Sequence, residues 1–208
     1  MIDGKKVVAV IPARGGSKRL PRKNIYPVCG VPMLAWAINA CQKSEYIDRV
    51  YVSTEDKEIW GIALGHRAGV IVRPEELAED HVFKQDAIIH ATDVLVNPEA
   101  GTIVSPNYDT VGIPDIVISV QANSPEINSD DLDRALEKFI KFDRSEIFSV
   151  NEDLIMNAAF RIMRREYVYQ KSLSTRSGVY VTNYIDVHDI DNVKEVEERL
   201  NGTKKRKN

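Results

Sequence analysis

Short apolar runs alternate with longer segments of helical spacing along this chain of 208 residues. The first run, residues 7–11, is β-branched except for one alanine and continuously apolar, which is typical of a strand covered on both faces in a parallel sheet. Similar runs predict further strands at 49–53, 70–72, 115–120, 146–150 and 177–183. Apolar positions three and four apart predict helices at 33–41, 55–67, 83–95 and 128–140, and a short helix at 193–200. The repeated β-α-β order predicts an α/β fold class.

Breakers and caps refine this pattern. Residues 97–114 contain two glycines and three prolines, which predicts a surface excursion without elements of its own. The hydroxyls of Ser53 and Thr54 are predicted to cap the helix at 55–67. Asn128 or Ser129 is predicted to cap the helix at 128–140.

The loop after the first strand combines glycine with dense positive charge. Gly15 and Gly16 allow the main chain to turn tightly with its N–H groups facing a ligand. Five cationic side chains lie within ten residues, namely Arg14, Lys18, Arg19, Arg22 and Lys23. Neither the P-loop pattern nor the dinucleotide fingerprint occurs here, so another kind of nucleotide site is predicted. A solvated basic loop is the alternative.

Composition narrows the class of partner. A net charge of −3 and a pI near 5.9 do not favour nucleic-acid binding, so the expected anion is small and local. Two cysteines, Cys29 and Cys41, predict neither a disulfide framework nor a zinc site, and a reducing cytoplasm is expected. No apolar run reaches membrane-spanning length, and the first is too short for a signal peptide, so no membrane partner is expected.

The sequence motifs of the loop resemble those of a known family. Its motifs are Pro12-Ala13-Arg14, Gly16-Ser17-Lys18 and Lys23-Asn24. In these motifs and their spacing the chain resembles the cytidylyltransferases that activate acidic 2-keto-3-deoxy sugars as CMP-sugars, the acylneuraminate and 3-deoxy-manno-octulosonate cytidylyltransferases. The resemblance implies that CTP is the nucleotide.

Two later stretches extend the resemblance. Arg73-Pro74, Leu77-Ala78 and Asp80 match a segment that helps the family to enclose the nucleotide, although a surface ion pair of Arg73 with Glu75 or Glu76 is an alternative. A motif of the sialic-acid branch is matched in part, by Gln121, Ser124 and Pro125. The arginine that ends this motif in the family is absent, and so is the metal-binding acid of the other branch. The chain therefore looks closer to the CMP-sialic acid synthetases.

The resemblance also implies an architecture. The family fold is a single-domain three-layer sandwich with a mostly parallel sheet, like other nucleotide-diphospho-sugar transferases, and here it would span 1–208. The family forms homodimers through an excursion that would correspond to a shortened segment at 151–176. In function, CMP would pass from CTP to the anomeric hydroxyl of an acidic sugar such as those of cell-surface polysaccharides, with release of pyrophosphate.

Roles for individual residues follow from the same resemblance. The expected nucleotide-binding residues are Ala13, Arg14, Gly15, Gly16, Ser17, Lys18, Lys23, Asn24, Arg73 and Asp80. The expected sugar-binding residues are Gln121, Ser124, Arg161, Arg164 and Arg165. An arginine-rich surface strand or helix is an equally good reading of the last three. Arg14, Lys18 and Lys23 would stabilise the triphosphate and the departing pyrophosphate, and no general base is evident.

A metal site is expected near the end of the chain. Asp189 and Asp191 lie two residues apart, so in an extended segment both carboxylates face one side, and the family's Asp-x-Asp binds Mg²⁺ there. The alternative is that Asp191 or Asn192 caps the following helix, with Glu195 completing a capping box.

Two rival functions stay open. One is a related nucleotidyltransferase with another acceptor, such as a phosphonate or a phospho-sugar, because a fold alone does not define the acceptor. The other is a non-catalytic nucleotide-binding relative, which the shortened excursion and the missing arginine after Pro125 favour.

Overall fold

The computed structural model describes residues 1–106 and 112–205, with side chains described as far as residue 202. The strands are β1 Val7–Pro12, β2 Pro27–Val28, β3 Val31–Pro32, β4 Arg49–Thr54, β5 Gly69–Val72, β6 Ile103–Val104, β7 Ile116–Val120, β8 Glu146–Val150, β9 Met156–Arg164 and β10 Ser177–Val181. The α-helices are α1 Met33–Lys43, α2 Lys57–Gly65, α3 Lys84–Val96, α4 Ser129–Lys141 and α5 Ile190–Lys205. Short 3₁₀ turns lie at Lys23–Ile25, Glu75–Ala78, Pro98–Ala100 and Arg165–Tyr169.

Eight of the strands form one sheet in the order β10-β8-β9-β7-β1-β4-β5-β6, and β2 with β3 forms a small hairpin. β1 lies parallel to β4 and β7, β4 to β5, and β8 to β10, whereas β6 and β9 run antiparallel to their neighbours. The predicted mostly parallel α/β sheet is therefore confirmed. The chain leaves β1 on one side for β4 and later returns on its other side at β7. Open α/β sheets bind ligands beside the carboxyl ends of such a strand pair.

Both faces of β1 are buried, which explains its continuous apolar sequence. Val7, Ala9 and Ile11 belong to the cluster that includes side chains of α1, α2 and α4, and Val8 and Val10 belong to the cluster on the α3 side. Helices therefore cover both faces of the sheet and give three layers.

A third apolar cluster lies apart from these two layers. It joins Leu20 of the basic loop and Val28 of the small hairpin to Val193 and Val196 of α5. The basic loop is thereby fixed to the last helix of the chain.

The second excursion expected from the sequence is in large part a strand. Met156–Arg164 forms β9, which lies between β7 and β8 inside the sheet, so residues 151–176 are not simply a surface insertion. Its apolar side chains Ala159, Phe160, Ile162 and Met163 are buried. The arginines at 161 and 164 obscured this pattern in the sequence.

The first excursion also contains structure. Ile103–Val104 adds an antiparallel edge strand to β5, and Pro98–Ala100 is a 3₁₀ turn, so the prediction of no element there is wrong. The remainder of this predicted loop includes residues 107–111, which lie outside the described part of the chain.

The cap of α2 also differs from the prediction. Asp56, and not Ser53 or Thr54, is the N-cap, because its Oδ1 accepts hydrogen bonds from the N–H groups of Glu58 and Ile59 at 2.9 and 3.0 Å. Thr54 Oγ1 instead accepts a bond from the Asp56 N–H at 3.1 Å. By contrast, Asn128 caps α4 as predicted.

Asp56 also fastens the basic loop to the sheet. Arg22 Nη1 lies 2.5 Å from Asp56 Oδ2 and Nη2 lies 3.0 Å from Oδ1, a bidentate pair. The loop passes so close that a Cβ at Gly15 would overlap the Asp56 carboxylate. Hydrogen bonding from Arg22 is the largest cause that lowers the pKa of Asp56, from an ordinary value of 3.8 to about 2.

We expect Asp56→Ala to lower the free energy of unfolding by about 2 kcal/mol at pH 7, the equivalent of this pKa shift. Because the folded-state pKa is depressed, this contribution is present above about pH 4 and is lost as the pH falls towards 2. Urea titrations of the wild-type protein and of Asp56→Ala at several pH values would show the difference between their free energies of unfolding decrease as the pH falls. Glu58→Ala is the matched control, because Glu58 also binds Arg22 but is 66% exposed. Equal losses in the two variants would contradict the assignment.

Candidate active site

A cleft of about 530 Å³ opens at the carboxyl ends of β1, β5 and β7. Of the residues expected to bind substrate, Arg14, Ser17, Lys18, Lys23, Asn24, Arg73, Asp80 and Gln121 line it. The cleft thus gathers side chains from three separate stretches of sequence. Ala13, Gly15 and Gly16 contribute the backbone of the loop that forms one wall.

Asn24 shapes the loop from inside. Its buried side chain donates a hydrogen bond from Nδ2 to the Arg14 carbonyl at 2.9 Å, and Arg22 takes a left-handed conformation with φ of 57° to complete the bend. The adjacent Lys23 faces the cleft, and desolvation is the main cause that lowers the pKa of its ammonium. Asn24 therefore holds the two neighbouring cations in position.

Two cations of the cleft converge on Asp80. Arg14 Nη2 lies 2.7 Å from Asp80 Oδ1, and Lys18 Nζ pairs with the other oxygen of the same carboxylate. The hydrogen bond from Lys18 is the first cause that lowers the pKa of Asp80. A carboxylate thus occupies the point to which both cations are directed, where a phosphate group of a ligand would compete with it.

Arg73 is the buried cation of the site. It is only 5% exposed, and its Nη2 donates to Glu55 Oε2 at 2.9 Å, so the alternative of an ion pair with Glu75 or Glu76 is wrong. Burial lowers the pKa of Arg73, and Glu55 partly offsets this effect. The other oxygen of Glu55 accepts the Gly15 N–H at 2.7 Å. Among the described residues, the buried Arg73 Nε has no hydrogen-bond partner.

The wall beside β7 contains residues that sequence reasoning missed. Lys84 Nζ donates to Gln121 Oε1 at 3.3 Å. Asn123, which also lines the cleft, donates to the Val187 carbonyl at 2.8 Å and to Asp186. His188 Nε2 lies 3.1 Å from the second oxygen of Asp186. Only Asn123 had a sequence signal, since it stands inside the partly matched motif.

The expected sugar residues are only partly brought together. Ser124 is fully buried and does not line the cleft. Arg164 is paired in register with Ile116 at the start of β7, and the N–H of Arg165 binds the Asp115 carbonyl. Both residues therefore lie at the amino end of β7, whereas the cleft lies at its carboxyl end. Their assignment to the sugar site is therefore wrong.

Arg161 lies on the α3 side of the sheet, but its charge is already paired. Its Nε lies 3.2 Å from Glu146 Oε2, and its Nη1 donates to Gln85 at 2.9 Å. The guanidinium also stacks on Phe148, with 4.8 Å from Cζ to the ring centroid. Arg161 is therefore a structural cation next to the cleft.

Asp189 forms the cap at the start of α5, so the alternative that Asp191 or Asn192 caps this helix is wrong. Asp189 Oδ1 accepts hydrogen bonds from the N–H groups of Asp191 and Asn192 at 3.1 and 3.0 Å. Asn192 in turn accepts the His188 N–H at 3.0 Å, which completes a reciprocal cap without Glu195.

The two acids of the Asp-x-Asp motif do not form a preassembled metal site. Asp191 is 84% exposed and pairs with Lys194, and Asp189 is engaged in the cap. Carboxylate oxygens are suitable ligands for Mg²⁺, so the donor chemistry fits. Within the described ranges, however, no three His, Cys, Asp or Glu side chains are grouped to hold a metal ion.

Fold and cleft together define a nucleotide-binding α/β protein, and comparison with known proteins identifies its family. Residues 8–194 match the family model described as Cytidylyltransferase, so the chain belongs to the cytidylyltransferase family. The family resemblance of the loop is thereby confirmed. No helix in the described part of the chain is long and apolar enough to cross a membrane.

The curated relatives act on acidic sugars according to their names. The chain is 31% identical over 186 residues to a pseudaminic acid cytidylyltransferase of Campylobacter jejuni, which covers 87% of this chain and 75% of the relative. It is 33% identical over 148 residues to the N-acylneuraminate cytidylyltransferase of Oncorhynchus mykiss, covering 71% of this chain and 31% of that protein.

Solved structures support the fold. The structure of CMP:2-keto-3-deoxy-manno-octonic acid synthetase complexed with CTP superposes with a TM-score of 0.73 at 15% identity, covering 95% of this chain and 99% of the other. The 4-diphosphocytidyl-2C-methyl-D-erythritol synthase of Anaerococcus prevotii gives 0.63 at 11% identity, covering 96% and 98%. The sheet is thus that of the nucleotide-diphospho-sugar transferase-like cytidylyltransferases.

The position of Asp80 between Arg14 and Lys18 generates a prediction. Asp80→Asn removes the competing carboxylate charge, so we expect pyrophosphate to bind about fivefold more tightly at low salt, and less so at high salt. Isothermal titration calorimetry would measure the affinity. Glu79→Gln is the control, because Glu79 also lines the cleft but pairs with His81. Unchanged or weaker binding in Asp80→Asn would show that Asp80 does not compete with phosphate.

Proposed function

We propose that this cytidylyltransferase transfers CMP from CTP to the anomeric hydroxyl of an acidic 2-keto-3-deoxy sugar of the sialic-acid-like type. The observation that carries the proposal is the convergence of Arg14 and Lys18 on one anionic group at the carboxyl end of β1. A triphosphate suits such a place because its charge is concentrated and needs several donors. The acceptor class follows from the names of the curated relatives.

In the proposed reaction, the anomeric oxygen of the sugar forms a bond to the α-phosphorus of CTP. The bond from that phosphorus to the oxygen that bridges the α- and β-phosphates breaks, and pyrophosphate leaves with the electron pair. The hydroxyl proton passes from the sugar oxygen to solvent water. Such transfers require mainly positioning and neutralisation of charge, so the cationic loop is the main catalytic device of the protein.

Each cation has a distinct part in this proposal. Arg14 and Lys18 bind the phosphates in place of Asp80, and Lys23, which has lost part of its hydration, neutralises the departing pyrophosphate. Arg73 also lines the cleft, and its largely buried guanidinium adds positive charge to the phosphate site. Gln121 at the end of β7 lies on the side where the acceptor would enter.

We also propose Mg²⁺ as the cofactor, with Asp189 and Asp191 as its protein ligands. A magnesium ion that arrives with CTP takes most of its ligands from phosphate and water, so it needs only one or two carboxylates. When bound, it would neutralise charge on the phosphates.

A homodimer is proposed from the exposed apolar residues at one end of the sheet. β10 is an edge strand, and Val179 and Val181 on it are 38% and 48% exposed. The neighbouring residues Leu154, Ile155 and Met156 are each more than 60% exposed. Sedimentation velocity that finds only a monomer at micromolar concentration would refute this proposal.

The cytoplasm is proposed as the compartment on cysteine content alone.

Release of pyrophosphate from CTP tests the proposed function. We expect release with pseudaminic acid or N-acetylneuraminic acid as acceptor, and much less with ATP, GTP or UTP in place of CTP. Release only with a phosphonate or a phospho-sugar would identify a different nucleotidyltransferase. Binding of CTP without release with any acceptor would identify a non-catalytic relative.

Substitutions in the loop should affect this assay strongly. We expect Arg14→Ala and Lys18→Ala each to lower kcat/KM for CTP about a hundredfold, or about 2.7 kcal/mol of transition-state stabilisation, with nearly unchanged thermal stability. The control is Lys43→Ala, because Lys43 is exposed at the end of α1 remote from the cleft. If all three variants behaved alike, the loop would be a solvated basic turn.

The metal proposal separates the two acids of the motif. Asp191→Ala should lower kcat strongly at saturating Mg²⁺ with little change in stability, because Asp191 is exposed. Asp189→Ala should in addition lower the free energy of unfolding by about 1 kcal/mol, because the cap of α5 is lost. Steady-state kinetics with a Mg²⁺ titration and urea denaturation would measure both. Ordinary turnover in Asp191→Ala would refute its role as a metal ligand.

A further inference from the structure

Lys84 is the first residue of α3 and lies in the cleft wall beside β7. Its ammonium donates to Gln121 Oε1 at 3.3 Å, so it is directed to the end of β7. The charges of Arg14, Lys18 and Arg73 are paired with Asp80 or Glu55. For Lys84, no carboxylate of the described chain lies within ion-pair distance.

The arginines expected to bind the acceptor's carboxylate are not available in this cleft. Arg164 and Arg165 lie at the amino end of β7, away from the cleft, and Arg161 is paired with Glu146 and stacked on Phe148. An acidic sugar still requires a cationic partner, because a carboxylate that leaves water without one pays a large desolvation cost. Among the described cations that line the cleft, Lys84 is the one that contacts Gln121 at the end of β7.

The surroundings of Lys84 favour an anionic partner. Its side chain is open to the cleft, yet the protein atoms around the ammonium displace water, and this desolvation is the main cause that lowers its pKa. The positive charge of Arg161 adds to the effect, and Asp186 opposes it. A carboxylate beside the ammonium would compensate for the lost hydration and for the nearby positive charge.

We propose that Lys84, together with Gln121, binds the carboxylate of the acidic acceptor and so selects acidic over neutral sugars. This assignment rests on the proposed function. It places the carboxylate-binding cation of this chain at the start of α3, and not in the segment 151–176. The Lys84 ammonium forms the charged contact with the carboxylate, and the Gln121 amide oxygen positions this ammonium.

The test compares Lys84→Met with Lys84→Arg and with Lys43→Met, whose lysine is exposed at the end of α1 remote from the cleft. The acceptors are pseudaminic acid, N-acetylneuraminic acid and the carboxamide of the latter, with pyrophosphate release as the readout. We expect Lys84→Met to raise KM for the acids about 30-fold and to leave KM for CTP nearly unchanged. Lys84→Arg should restore most of the affinity, and Lys43→Met should match the wild-type protein.

The carboxamide distinguishes charge recognition from a structural role. Wild-type protein should prefer the acid to its amide about 30-fold, and Lys84→Met should show little preference. An unchanged acceptor KM in Lys84→Met, or an equal rise in KM for CTP, would overturn the assignment alone. Wild-type protein that releases no pyrophosphate with any of these acceptors would overturn the proposed function and the assignment together.

Discussion

Two neighbouring acids that follow β4, Glu55 and Asp56, hold the basic loop after β1 in place. Glu55 accepts the Gly15 N–H with one oxygen and binds Arg73 with the other, while Asp56 clamps Arg22 and caps α2. Within the described part of the chain, no strand pairing fixes residues 13–22 of this loop. Charge-assisted hydrogen bonds to these two acids, together with the apolar cluster around Leu20, therefore set the position of the loop relative to the sheet.

These contacts also explain how so many cations are concentrated in ten residues. Within this stretch, Asp56 supplies negative charge to Arg22, and Asp80 supplies it to Arg14 and Lys18. Without them, mutual repulsion would oppose the folded loop. In the proposed function, binding of CTP would be an exchange of partners in which phosphate oxygens replace the Asp80 carboxylate, and the net gain would depend on the cost of separating this carboxylate from Arg14 and Lys18.

Much of this fold could be predicted because its signals are local. β1, β4, β7 and α4 follow from runs and periodicities within a few residues, and the loop follows from glycine and charge. The partner of Arg73 is Glu55, which lies 18 residues earlier, and no local pattern distinguishes it from Glu75 or Glu76. A surface strand at these arginines was one alternative, but the interior position of β9 was not predicted, because the pairing of Arg161 with Glu146 depends on the tertiary structure. Lys84 and Asp186 carry no motif, so only the fold brings Lys84 into the cleft and Asp186 into contact with Asn123 and His188.

The small apolar cluster of Leu20, Val28, Val193 and Val196 has a consequence for dynamics. It stands apart from the two main clusters, and it joins the nucleotide loop to α5 through few side chains. Segments that share such a satellite cluster open together in local unfolding, since neither can bury its apolar residues alone. We therefore expect the loop near the start of the chain and the helix near its end to open as one cooperative unit, with their amide hydrogens exchanging as a group.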